Sequence, residues 1–499
     1  MVAIGLYISR KVKTSEDYFL AKRSLPGWLV GISIFATTIS CLSFTAIPAF
    51  TFKHDYLWVS SSCVYIFVAV FAMYFIMPFF RKVQTPSGYE YLERRFGTWA
   101  RVYLALGYVV MNSFRMGIIL YAIALTFETA TGIRLPWIVV VLGVTAAVYA
   151  ISGGLEAVIW TDLFQSGILL VGAVVCIGAA LHGVPGGFSH VAATAYHGGK
   201  MSLGSMDLSL TERTFWTIVI TSIFSMSSAS TTAQDAIQRY RAPESEKEAR
   251  IALGVSAFTM VPVWLLFSFL GTVLWAFYQA FPDPHVQAMA QANPEKIVPY
   301  FIFTQLPSGL GGIVLAGMLM ASVSAINGSL NACAATATSD FYERFIAPGR
   351  PPRHYLSAGR WISCLFGAGM IGMALLVYWF RQSTLQDLQA LMIMIITAGS
   401  FGLFMIGFLS RRVDNFSAAW ATGLTVAGVS LWVFLQSDWA RLRWPGLSPY
   451  LPNLFWLSVF SNVSLFALAW LIARLFNRRC RHSLTDLTIF TLRKEDAGH

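Results

Sequence analysis

Arg115 lies deep inside an apolar stretch, 100–131, of a 499-residue chain. A charge at that depth in a membrane costs about 2.5–3.5 kcal/mol on insertion scales, so a guanidinium there needs a partner. Its planar fork matches a carboxylate, which makes Arg115 a candidate anchor for an anionic substrate group. The competing reading is structural, with Arg115 paired to a carboxylate or to helix-end carbonyls. Asn112 stands three residues earlier and shares its helix face. Asp162 is the anionic counterpart, about two turns into a second apolar stretch. A carboxylate there reads as a cation or proton site, or as the partner of an Arg at the helix end. Two hydroxyl-dense runs complete the set: Phe35-Ala-Thr-Thr-Ile-Ser-Cys-Leu-Ser43 with Pro48 behind it, and Ser225-Met-Ser-Ser-Ala-Ser-Thr-Thr-Ala-Gln234. At mid-membrane depth such runs predict unwound backbone lining a cavity. Helix packing through small residues would favour the same composition.

Composition supplies the elements that position these groups. Hydrophobic residues make up 56% of the chain and charged residues 12%, where a soluble domain carries about 25% charge. Apolar stretches long enough to cross the hydrocarbon layer as helices follow one another with short basic loops between them. They are expected at 26–51, 57–80, 100–131, 136–152, 155–183, 213–234, 249–281, 307–339, 356–380, 386–409, 415–436 and 451–473, behind a short apolar N-terminal stub. The stub, 1–9, reads as the last half of a helix whose beginning is absent. The chain is therefore expected to be an all-α polytopic membrane protein. A soluble enzyme, a nucleic-acid-binding module and a disulfide scaffold are excluded by this composition. The six cysteines form no CxxC pair and read as small core residues.

The net charge of +11 is explained by where the cations fall. Of 35 Lys and Arg residues, 26 lie in one alternate set of loops and 8 in the other. The positive-inside rule places the richer set, the first loop and the C-terminus in the cytoplasm. The one cation left over is Arg115. The same topology makes the hydroxyl runs open two five-span blocks, 26–183 and 213–409, that enter the membrane from opposite sides. Interrupted helices at corresponding positions of inverted halves point to the binding site of a secondary transporter. Around the halves lie segment 1–25, an outer loop at 184–212, two peripheral helices within 410–473 and a tail, 474–499.

Four motifs then acquire meaning together. They are Gly153-Gly-Leu-Glu-Ala-Val-Ile-Trp-Thr-Asp-Leu-Phe-Gln165; Gln234-Asp-Ala-Ile-Gln-Arg-Tyr240; Leu306-Pro-Ser-Gly-Leu-Gly-Gly312; and Ser329-Leu-Asn331 with Ser339-Asp-Phe-Tyr342. In this order the chain resembles the sodium:solute symporter family, relatives of the sodium/glucose cotransporters. Phe35-Ala-Thr-Thr, Pro78-Phe-Phe-Arg-Lys82 and Tyr89-Glu-Tyr-Leu-Glu93 are most similar to its bacterial sodium/sialic acid symporters.

The resemblance implies a leucine-transporter-like inverted-repeat (5+5) fold with additional peripheral helices. It implies a sodium ion held by the carbonyls of Ala36, Ile39 and Ala321 and the hydroxyl of Ser324. Hard oxygens on unwound helix suit a small hard cation. Where the family has a second Ser this chain has Ala325, which leaves Asp162, a possible second sodium or proton site, short of one hydroxyl. The implied substrate cavity comprises Ser40, Ser43, Trp58, Ser62, Asn112, Arg115 and the 225–234 run. Ser62 replaces a larger amide, and Ala229 replaces an aromatic gate of the sugar cotransporters. The expected activity is sodium-coupled symport of a small carboxylate-bearing solute, sialic acid or a related sugar acid, by alternating access. Proton-coupled transport, monocarboxylate or amino-acid transport on the same fold, and a transport-inactive sensor are the alternatives. The expected surroundings are the lipid of a bacterial inner membrane, with no nucleic acid, no obligate protein partner and no enzymatic chemistry.

Overall fold

The computed structural model describes residues 25–82, 88–380, 385–444, 446, 450–477, 480, 484 and 487–491; for 149–158, 386, 387, 390 and 438 it describes the backbone alone. The expected N-terminal stub, the loop at 10–24 and the tail beyond 491 lie outside the described residues. Among the described residues the regular structure is helical apart from a single bridge between Leu25 and Pro243.

The chain runs α1 Gly27–Ala36, α2 Cys41–Lys53, α3 Leu57–Lys82, α4 Gly88–Phe96, α5 Thr98–Thr131, α6 Leu135–Gly183, α7 Gly187–His197 and α8 Phe215–Thr232. It continues through α9 Gln234–Arg241, α10 Glu246–Ala280, α11 Pro284–Ala292, α12 Ile297–Gln305, α13 Ser308–Ile346, α14 Pro352–Phe380, α15 Leu385–Ile396, α16 Ser400–Leu409, α17 Asn415–Leu435, α18 Asp438–Arg443 and α19 Leu457–Leu475. Among the described residues eight helices are long and apolar enough to cross a membrane, and α1 with α2, bent by 56°, makes a ninth if the pair is counted as one span. The two spans expected at 136–152 and 155–183 form one helical run of 49 residues. At about 1.5 Å per residue that run is more than twice the hydrocarbon thickness.

The first break is written locally. Thr37 and Thr38 donate their hydroxyls to the carbonyls of Ile34 and Phe35, at 2.7 and 2.6 Å. Both bonds sit at the end of α1, where Thr37 is the C-cap. Ser40 then caps α2, its hydroxyl accepting from the Leu42 amide at 3.1 Å. At the far end of α2, Lys200 donates to the carbonyls of Phe52 and His54, at 2.7 and 2.9 Å. A cation there satisfies terminal carbonyls and the helix dipole together.

The second hydroxyl run corrects the expectation. Residues 225–232 are helical, and the break is confined to Ala233, with φ −79° and ψ 123°. Thr231 and Thr232 donate back to the carbonyls of Ser227 and Ser228 inside the same helix, so the hydroxyls need no unwinding. A third break, not expected from the sequence, divides the 386–409 stretch at Thr397–Gly399. Gly399 there adopts φ +76°, and its amide donates to Ser461 Oγ at 3.1 Å.

Packing brings the broken helices against α10. Gly31 of α1 faces it so closely that an added Cβ would stand 2.7 Å from the Ala252 carbonyl oxygen. Small residues permit such backbone approach in lipid. At Gly271 an added Cβ would stand 2.8 Å from the Pro48 Cα. Gly271→Ala is expected to overpack this crossing by about 1–3 kcal/mol. A lowered thermal unfolding temperature of the purified protein checks it.

Five cations that charge counting assigns to loops, Arg95, Arg101, Lys200, Arg239 and Arg241, are buried. Arg101 pairs with Asp340 at 2.6 Å and Glu93 at 2.7 Å, and Arg344 reaches Glu93 at 2.8 Å. This network ties α4 and α5 to the end of α13. Of the six cysteines, Cys63 and Cys364 are exposed rather than in the core, and Cys480 is half-buried.

Candidate functional site

Two cavities meet at the first break. The larger holds about 320 Å³ and is lined by the break, α3, α5, α8, α9, α10, α15 and the third break. Arg115 is half-buried on its wall and donates through Nη2 to the Thr37 carbonyl, which α1 leaves without a helical donor. Thr37 and Thr38 line the same wall. Trp58 lines it too, and its buried Nε1 finds no acceptor among the described residues. Ser61 and Ser222 face in together, with Ser222 donating to Ser61 at 3.0 Å. The 225–234 run contributes Ser225, Met226, Ala229, Ser230 and Thr232, the spacing of one helix face.

Several expected substrate residues lie elsewhere. Ser40 is spent on capping α2. Ser43 donates to the Thr38 carbonyl at 3.0 Å. Ser62 donates to its own helix at Val59, 2.7 Å away, and is fully buried. Asn112 donates to Tyr108 at 3.1 Å within α5 and is fully buried. None of the four lines the larger cavity. One residue of rotation on a helix is about 100°, which is why Ser61 and not Ser62 faces in.

The smaller cavity gathers the expected sodium ligands. Ala36, Ile39, Asp162, Ala321 and Ser324 all line it, together with Gln165 and Ser166. Asp162 is 2% exposed. It accepts from Ser33 Oγ at 2.6 Å and from the Ser324 hydroxyl. Ala325 is buried and does not line this cavity, and the second hydroxyl on Asp162 comes from Ser33, which sequence reasoning missed. The buried Gln165 Oε1 has no donor, and the Ile39 carbonyl accepts no hydrogen bond, among the described residues. A carboxylate, an orphaned amide oxygen, two hydroxyls and a bare carbonyl form an acceptor-rich enclosure. That chemistry fits a hard cation.

Arg239 is the second omission. It lines the larger cavity and also stands 4.0 Å from Asp162 through Nη2. Its signal in the sequence was the Asp235–Arg239 spacing, one helical turn past the hydroxyl run.

Comparison with known proteins follows this geometry. The model of the "Sodium:solute symporter family" matches residues 18–424. The chain is 31% identical over 441 residues to the sodium/sialic acid symporter NanT of Aliivibrio fischeri, covering 88% of this chain and 86% of that one. It is 31% identical over 446 residues to the sodium-coupled monocarboxylate transporter 1 of Mus musculus, covering 86% of this chain and 70% of that one. A solved Na+-coupled sialic acid symporter, substrate-bound and outward-open, superposes with a TM-score of 0.85 at 28% identity, covering 96% of both chains. The fold is accordingly the leucine-transporter-like inverted repeat with peripheral helices, in an integral membrane protein. Its relatives are transporters rather than enzymes. The activity is sodium-coupled symport, and the chain belongs to the sodium:solute symporter family.

Proposed function

We propose that the larger cavity takes a small carboxylate-bearing solute, with its carboxylate on Arg115, and that sodium enters the smaller cavity. One observation carries this reading. Residues 36–39 line both spaces, Ala36 and Ile39 the smaller, Thr37 and Thr38 the larger. Sodium on the Ala36 and Ile39 carbonyls thus holds the same four residues whose Thr37 carbonyl holds Arg115. A ligand shifts a conformational equilibrium only by binding its states differently, and a break that unwinds or rewinds supplies that difference. Halves at 26–183 and 213–409 rocking about this point give alternating access, with the C-terminus cytoplasmic in a bacterial inner membrane.

Sialic acid is the first solute to test, because NanT and the superposed symporter carry it by name. The cavity wall favours a second reading. Met111, Met226, Met260, Met394 and Trp264 line it, an apolar surface suited to the body of a simple monocarboxylate. Thermal stabilisation against sialic acid, sugar acids, short monocarboxylates and amino acids, with and without sodium, separates these solutes by mass action. No stabilisation by any carboxylate would sink the proposal. Ser324→Ala is expected to raise the sodium concentration for half-maximal uptake in reconstituted vesicles. The Ser324 hydroxyl lies on the small cavity and against Asp162. Unchanged sodium dependence would remove Ser324 from the site.

A further inference from the structure

Arg239 faces two ways, and its contacts are incomplete on one side. Its Nε donates to Ser33 Oγ at 3.3 Å, and Ser33 passes its own proton donor to Asp162 at 2.6 Å. Its Nη1 donates to the Asp235 carbonyl at 3.2 Å. Its Nη2 lies 4.0 Å from the Asp162 carboxylate, beyond hydrogen-bond reach, and has no hydrogen-bond partner among the described residues. The side chain is 2% exposed yet lines the large cavity. Gly328 lies beside it, where an added Cβ would make ordinary contact with Nη2 at 3.5 Å.

We infer that Arg239 is a resident cation that shares the Asp162 charge when the small cavity holds no sodium, and that sodium displaces it toward the large cavity. The inference rests on the sodium reading of the small cavity. A buried carboxylate needs a counter-charge. Sodium arriving between Asp162, Ser324 and the Ala36 and Ile39 carbonyls supplies that charge and repels the guanidinium. The direction left open runs along α9 to Asp235, whose carboxylate lines the large cavity and accepts from Tyr108 at 3.0 Å. The positive charge at the large cavity therefore rises when sodium is bound, which favours an anionic solute. By linkage the anion favours sodium equally.

The test measures sodium binding alone, as stabilisation of the purified full chain by sodium chloride against choline chloride. Arg239→Gln removes the competitor and is expected to raise sodium affinity about tenfold, within the range typical of coupled sites. Arg239→Lys is expected to raise it less, because a shorter ammonium still competes. In an Asp162→Asn background Arg239→Gln is expected to change nothing, since the shared charge is gone. Unchanged or weaker sodium binding in folded Arg239→Gln overturns the inference, as does an equal gain in the Asp162→Asn background. If Arg239→Gln does not fold, unchanged binding in Arg239→Lys overturns it. Ser324→Ala separates the two levels. Weaker sodium binding there with no Arg239 effect refutes the inference alone. No effect of either Ser324→Ala or Asp162→Asn refutes the site itself.

Discussion

Arg115→Lys is expected to weaken binding of the carboxylate solute about ten- to a hundredfold. A hydrogen bond to a charged group is worth about 1.5–3 kcal/mol, and each 1.4 kcal/mol is about tenfold in affinity. The guanidinium has enough donors to hold the Thr37 carbonyl and still present N–H groups to the cavity. An ammonium is a compact charge without the fork, so it gives up one contact or the other. Sodium binding without solute should change little, because the lining of the small cavity does not include Arg115. A neutral methyl ester of the solute should bind wild type and variant almost equally. Equal losses for acid and ester would show that Arg115 serves only the Thr37 carbonyl, which is the structural reading. Titration of both ligands into folded, purified variant decides the matter.

Asp162→Asn is expected to lower sodium affinity tenfold or more while leaving solute affinity at saturating sodium within a few fold. The carboxylate is the single anionic group among the lining residues of the small cavity. It is also the shared acceptor of Ser33 and Ser324. The amide keeps the shape and one acceptor oxygen but removes the charge that pairs with either cation. Breaking a buried charge pair costs about 3–5 kcal/mol when one ion is left unmatched, so the variant should also unfold at lower temperature without sodium. Sodium counterflow in vesicles reads the charge moved per solute, which should change if Asp162 holds a transported ion. Uptake that persists without sodium and follows a pH gradient would identify a proton as its cargo. Normal uptake, normal charge ratio and no pH response would leave Asp162 structural.

Three helix breaks border the large cavity, and they were not equally legible. At Thr37, Thr38 and Ser40 each decisive bond reaches a residue two or three positions away. The Ser40 cap is a local contact, so the first break could be read directly. The 225–232 hydroxyls look alike on paper, yet they bond back four residues and keep their helix intact. The third break depends on Ser461 and Asn462 of α19, which accept from the Gly399 and Gly402 amides across 60 or more residues of chain.

The amino-acid sequence by itself determined that this chain crosses a membrane many times as helices, that its first span is interrupted, and that Arg115 and Asp162 are charges inside apolar stretches. Hydropathy, hydroxyl–carbonyl competition and the cost of charge in lipid act on a few neighbouring residues, so they are written locally. The resemblance added the ligand set at Ala36, Ile39, Asp162, Ala321 and Ser324, and the tertiary structure gathers those residues around one small cavity. Tertiary structure alone decided that Ser61 faces the large cavity in place of Ser62, that Asn112 is turned away, and that Ser33 donates to Asp162. It also carried Arg239 out of a nominal loop to the junction of both cavities. Ser33 and Asp162 are 129 residues apart, and Ser324 and Asp162 are 162 apart. Which face of a helix meets a partner at that separation is set by how whole helices rotate and pack against one another, and no short stretch of sequence contains that angle.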